Sequence, residues 1–103
     1  MRVTMMAILI VLAPSLSGGY ASAADGREIY DSYCALCHNK GMLDAPRFGE
    51  KKDWKKRLPK GDEELTSNAI NGLNNMPPKG GYKRVLGNDD VAAATQYLLQ
   101  SVH

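Results

Sequence analysis

Apolar positions between residues 25 and 103 recur at three- and four-residue intervals, the period of a helix with one buried face. Ile29, Tyr30, Tyr33 and Cys37 keep that spacing behind Asp25, a good helix N-cap, and predict a first helix that ends near Cys37. A second helix is predicted from Asp62, with Glu63 and Glu64 in the first turn, where carboxylates offset the helix dipole. Its apolar positions are Leu65, Ala69 and Ile70, and Gly72 is suited to a left-handed stop. The last helix is predicted from Asn88, with Asp89 and Asp90 in its first turn and a stripe of Val91, Ala94, Leu98 and Val102 flanked by Tyr97. A short helix over Lys51 to Arg57 closes before Pro59, since the residue preceding proline disfavours helix.

No segment alternates apolar and polar residues as a half-buried strand would. Between Gly72 and Asn88 the prolines and glycines of Asn74-Asn75-Met76-Pro77-Pro78-Lys79-Gly80-Gly81 predict an irregular loop. The expected class is all-α: three to four short helices joined by long loops.

The first two dozen residues read differently. Arg2 precedes the apolar run Met5 to Leu12, then Pro14 and a small-residue segment ending Ala21-Ser22-Ala23-Ala24. A charged start, a short apolar centre and an Ala-x-Ala exit describe a secretory signal peptide. The run is well short of the ~20 residues that span a bilayer. Cleavage is expected after Ala23 or Ala24, leaving a single domain over residues 25–103, exported and soluble in the periplasm.

A domain of that size is marginal at burying its own core and usually needs a staple. A disulfide between Cys34 and Cys37 would close a tiny loop and constrain the unfolded chain little. A large bound cofactor is a better candidate for filling the middle. Without Arg2, twelve basic residues face eleven acidic ones, too even a balance for a nucleic-acid binder. The charge is nevertheless uneven, because Lys51, Lys52, Lys55, Lys56, Arg57 and Lys60 crowd one stretch.

Both cysteines and one of the two histidines fall within Cys34-Ala35-Leu36-Cys37-His38. Structural zinc needs four ligands, and adjacent Cys37 and His38 converge poorly with Cys34 on one ion. A thioredoxin-like dithiol belongs in a strand–helix context, and no strand precedes Cys34. Covalent haem explains the spacing: each thiol adds to one porphyrin vinyl, and the next residue places its imidazole beneath the iron. Candidates for the opposite axial position are Met42, Met76 and His103. Met42 follows His38 too closely to reach the other face, and His103 is terminal. Met76 lies thirty-eight positions beyond His38, in a loop stiffened by Pro77 and Pro78, and is favoured.

With the haem motif and Met76-Pro77-Pro78-Lys79-Gly80-Gly81 both in view, the chain resembles the class I cytochromes c, and most of all their small bacterial c-five subgroup. The likeness includes Gly41, Ala45-Pro46-Arg47-Phe48-Gly49, Trp54 with Arg57, and Ala69-Ile70-Asn71-Gly72. It implies one haem c on Cys34 and Cys37, ligated by His38 and Met76. It implies that the Pro46 carbonyl accepts the His38 Nδ1–H and that Trp54 packs near the propionates, where its indole N–H could donate. It further implies that Gly26 and Tyr30 meet the last helix near Tyr97. The function implied is single-electron transfer, not enzymatic turnover, between transient redox partners by a monomer. The alternatives are a haem-bearing subunit of a larger oxidoreductase and a haem gas sensor. Some relatives carry a further cysteine pair after the methionine; here Tyr82 stands in that neighbourhood.

Overall fold

The computed structural model describes residues 2–10 and 25–103. Residues 2–10 carry no regular secondary structure, and the expected cleavage point lies outside the described residues. No helix of the described residues is long and apolar enough to cross a membrane. The order is α1 (Gly26–Ile29), a π-helical turn (Tyr30–Cys34), α2 (Ala35–His38), α3 (Lys51–Trp54), α4 (Asp62–Asn71) and α5 (Asn88–Gln100). Tight 3-10 turns occupy Met42–Asp44, Leu58–Lys60 and Pro78–Gly81. Among the described residues there is no strand, only one isolated bridge between Leu73 and Met76, so the class is all-α as expected.

α1, the π turn and α2 form one continuous rod. Asp25 caps it: its Oδ1 accepts from the Arg27 N–H at 3.1 Å and the Glu28 N–H at 3.3 Å. Within the rod the Ala35 N–H reaches back five residues to the Tyr30 carbonyl. The extra residue in that turn rotates everything beyond it by about 100° relative to an uninterrupted α-helix. Tyr30, at the start of the turn, is buried, and Leu36, beyond it in α2, is 67% exposed. Nothing in the residue pattern announces this turn.

α5 packs across α1 and α4. The crossing with α1 is closest at Gly26: a Cβ there would collide with the Ala93 carbonyl and stand 3.3 Å from the Tyr97 Cβ. Val91, Ala94, Leu98 and Val102 are all buried, as the stripe predicts, and Leu99 beside them is fully enclosed. Tyr30, Phe48 and Tyr97 form a triangle of rings with centroids 5.1, 5.5 and 5.3 Å apart, linking the rod, the following loop and α5. Burial pushes the Tyr30 hydroxyl well above its ordinary pKa, and it donates to Asn39 Oδ1.

Two local expectations are corrected. The helix predicted over Lys51 to Arg57 ends at Trp54; beyond it the chain tightens, with Arg57 N–H on the Trp54 carbonyl at 2.9 Å and Lys60 N–H on the Arg57 carbonyl at 3.0 Å. Pro59 has no N–H with which to continue an α-helical ladder. Gly72 does end α4 with positive φ, but at φ 85° and ψ 152° it is extended rather than left-handed helical. That region is open only to glycine. A Cβ there would lie 2.9 Å from Pro78 N and 3.0 Å from the Met76 carbonyl oxygen, because the next loop folds directly back over it.

Gly26→Ala should destabilise the fold by about 1–3 kcal/mol, the usual cost of overpacking, since the obstacle is backbone and cannot rotate away. Equilibrium denaturant unfolding checks this; an unchanged midpoint would contradict the close crossing.

Candidate functional site

The rod delivers Cys34, Cys37 and His38 at its C-terminal end. Both thiols are free and half-buried. Burial, with Cys37 adding to it, pushes the Cys34 thiol up to about 11. That is the wrong direction for a redox dithiol, whose attacking sulfur must be a thiolate. The zinc alternative fares no better, since no group of three or more His, Cys, Asp and Glu among the described residues could hold a metal ion.

His38 is held from two sides. Its Nδ1 lies 2.7 Å from the Pro46 carbonyl, which can only accept, so Nδ1 carries the proton and Nε2 keeps its lone pair. The Phe48 N–H donates to the His38 carbonyl at 2.7 Å, tying the same loop to the end of α2. Burial holds the imidazole below its ordinary pKa; the Pro46 bond opposes this and the Arg57 charge adds to it. The ring is thus kept neutral, the form that binds metal.

The loop that brings Pro46 under His38 is bent by Gly41 (φ 78°) and by two non-glycine residues of positive φ, Leu43 (54°) and Asp44 (61°). Arg47 then anchors it to α3: its Nε donates to Asp53 Oδ2 at 2.8 Å and its backbone N–H to the same oxygen at 3.1 Å. These bonds hold the Asp53 carboxyl below the usual range, although both side chains are solvent-facing and salt screens such pairs. Trp54 is buried with its ring centroid 6.3 Å from that of His38. Its indole N–H donates to the Arg47 carbonyl at 2.9 Å, so the donor that the resemblance assigns to the propionates serves the protein backbone.

Met76 stands across from this assembly in sequence order, at the mouth of the loop between α4 and α5. Leu73 and Met76 exchange backbone hydrogen bonds of 3.0 and 2.9 Å around Asn74, whose φ is 53°. Met76 is half-buried, unlike Met42, which is 43% exposed. The loop meets the rest of the site at two further places. Asn75 Nδ2 donates to the Leu43 carbonyl at 3.3 Å, and the ring of Tyr82 meets that of Tyr33 edge-on at 4.9 Å. Neither pair is visible in the sequence. His103 does not join the site: its Nε2 sits 3.2 Å from Asp62 Oδ1 at the start of α4.

A cleft of about 420 Å³ beside Pro46, lined by Lys40, Arg47, Asp53 and Arg57 among others, is open and carries neither thiol. The apolar core is small and lies elsewhere. The cluster of Tyr30, Trp54, Leu65, Ala94, Leu98, Leu99 and Val102 lies where α4 and α5 pack and reaches Cys34 and Ala35 of the rod, whereas Cys34, Cys37, His38 and Met76 themselves are only half-covered.

Comparison with known proteins places this geometry. Residues 21–98 match a family described as cytochrome C oxidase, cbb3-type, subunit III. Cytochrome c-555 of Chlorobaculum thiosulfatiphilum is 37% identical over 81 residues, spanning 75% of this chain and 93% of that one. The chain belongs to the class I cytochromes c. Cytochrome c5 of Ectopseudomonas mendocina is 41% identical over 66 residues, 62% of this chain and 74% of its own. A crystal structure described as the electron transfer complex of nitrite reductase with cytochrome c contains a chain that superposes with TM-score 0.70. That chain is 30% identical and is 95% covered, against 77% of this one.

The cofactor of such a cytochrome is one covalently attached haem c. The residues present fit it: two free thiols three positions apart, a neutral imidazole next to the second with Nδ1 engaged and Nε2 free, and half-covered apolar side chains around them. Porphyrin would extend the core against which Cys34 already packs.

Trp54→Phe keeps most of the packing but removes one of two donors to the Arg47 carbonyl, leaving the Glu50 N–H at 3.2 Å. It should cost about 0.5–1.5 kcal/mol, and a chemical-denaturation midpoint equal to that of the unmutated protein would refute the role of this bond.

Proposed function

We propose that this cytochrome c is an exported one-electron carrier whose haem iron is held between His38 and Met76. The observation that carries this reading is the hydrogen bond from His38 Nδ1–H to Pro46, which leaves Nε2 as the only ring nitrogen able to coordinate. Bound haem c would supply the Fe(III)/Fe(II) couple. Cys34 and Cys37 would tether its edge through thioethers, so that it is retained in both oxidation states. His38, oriented and made more basic by Pro46, would hold the proximal side. Met76 would occupy the other axial position and keep small molecules out, which separates a carrier from an enzyme or a gas sensor. Its soft, uncharged sulfur favours the reduced state and raises the reduction potential. Pro46 would fix the imidazole, and Trp54, whose ring lies 6.3 Å from that of His38, would pack near the propionates while its N–H holds the loop through Arg47.

Export rests on residues 1–24, read as a signal removed after Ala23 or Ala24 to leave a periplasmic domain of residues 25–103. Partners would be redox proteins met through a small, transient interface. The complex with nitrite reductase formed by the structurally similar cytochrome supports that mode of use. Lys51, Lys52, Lys55, Lys56, Arg57 and Lys60 are all exposed around α3, whose single acid, Asp53, is engaged by Arg47. They would steer an acidic partner toward the His38 side. The name of the matching family favours a second reading, a haem-bearing subunit of a larger oxidoreductase. Purification as a free monomer would discard it.

Two outcomes are expected. The oxidised protein should show the far-red charge-transfer band of methionine-ligated Fe(III), and Met76→Ala should abolish it while the thioether haemochrome and the haem-bearing mass persist. A band that survives the substitution rules Met76 out. Lys52→Glu with Lys56→Glu should slow association with an acidic redox partner by about tenfold or more at low salt and flatten its ionic-strength dependence. Stopped-flow rates that do not change would make these lysines an ordinary solvated face.

A further inference from the structure

The loop that carries Met76 must present a weak thioether without a disulfide to brace it, since both cysteines belong to the haem motif. Most of its hydrogen bonds are internal. Leu73 and Met76 pair with each other, Gly80 N–H reaches the Pro77 carbonyl at 3.0 Å, and Tyr82 N–H reaches that of Lys79 at 3.1 Å. Lys79 Nζ donates to the Leu86 carbonyl at 3.0 Å, closing the far end. These bonds shape the loop but do not say where it stands relative to the thiols and imidazole at the end of the rod.

Two links cross that gap. One is the Asn75–Leu43 bond, long at 3.3 Å and exposed to water. The other is the ring pair of Tyr33 and Tyr82, with centroids 4.9 Å apart and planes at 65°. Tyr33 immediately precedes Cys34, so a ring held against it is referred directly to the first haem tether. The backbone is turned to make this contact. Lys79, Gly80 and Gly81 all have positive φ (53°, 63° and 93°), and at Gly80 a Cβ would come within 3.7 Å of the Tyr33 carbonyl oxygen. Three consecutive residues in a conformation that side chains resist thus serve to lay Tyr82 across Tyr33.

We propose that the Tyr33–Tyr82 pair is a clasp that holds the Met76 loop against the cysteine-bearing end of the rod, making Tyr82 a positioning residue for the distal ligand. The proposal rests on Met76 as that ligand. An edge-on aromatic pair is strong enough to change the ratio of bound to released methionine by up to about tenfold, and weak enough that only a competition experiment isolates it.

The test is titration of the oxidised holoprotein with imidazole, which must displace methionine, read from the loss of the far-red band. Tyr82→Leu and Tyr33→Leu should each lower the imidazole concentration at half-displacement about three- to tenfold. Tyr82→Phe, which keeps the ring, should stay within about twofold of the unmutated protein. The double leucine variant should be no weaker than either single one, because the two rings act only together. An unshifted midpoint in the leucine variants overturns the clasp, even if their melting temperature falls, since that marks a packing role without consequence for the ligand. Equal impairment of Tyr82→Phe also overturns it, by assigning the effect to the hydroxyl. Should Tyr82→Leu fail to accumulate, Tyr33→Leu reads the same contact from the other ring. Absence of the far-red band from the unmutated protein is a different result: it removes Met76 as ligand, and the clasp with it.

Discussion

The contact on which the rest of the arrangement depends is the meeting of Gly26 with the Ala93 carbonyl, where α1 crosses α5 with no room for a side chain. It fixes the start of the rod against the longest helix of the domain. Everything that bears chemistry then follows by rigid extension: the capped first turn, the π turn that swings the far end round, and the thiols and imidazole at its tip. A helix transmits position well over such a short distance because each added residue fixes one more backbone hydrogen bond. The aromatic triangle of Tyr30, Phe48 and Tyr97 holds the midpoint and ties in the loop that carries Pro46. The His38 imidazole, its carbonyl acceptor and the core are therefore one mechanical unit, with Pro46 placed beneath His38 by a loop whose Phe48 packs on Tyr30.

How much of this the sequence displays depends on whether a feature is periodic. α4 and α5 begin where their acidic first turns predict, and the apolar stripe of α5 is buried position by position. The cysteine–histidine motif is legible because thioether chemistry imposes a fixed spacing. What stays hidden is non-periodic or long-range. The π turn needs no special residue type. Leu43 and Asp44 adopt positive φ without being glycine, which only the tertiary pull of the Pro46 loop explains. The indole N–H of Trp54 takes the backbone carbonyl of Arg47, an acceptor that no residue pattern announces. Asn75 and Tyr82 look like ordinary loop residues until the fold sets them beside Leu43 and Tyr33.

The uneven distribution of burial has a functional logic. Where α4 and α5 meet, the chain buries its own apolar side chains; at the edge of that core, Cys34, Cys37 and Met76 are left half-covered. A large planar group with apolar faces is the natural partner for such a surface, and covering it adds hydrophobic stabilisation the polypeptide cannot supply alone. Covalent attachment makes that contribution permanent, so the fold does not depend on the concentration of free cofactor. The same packing that stabilises the domain also lowers the polarity around the metal, and low polarity disfavours the extra charge of the oxidised state. Stability and reduction potential are coupled through one set of contacts. On the proposal that Met76 is the distal ligand, its loop is where they part: local hydrogen bonds, one ring pair and a close return over Gly72 hold it, rather than the apolar core.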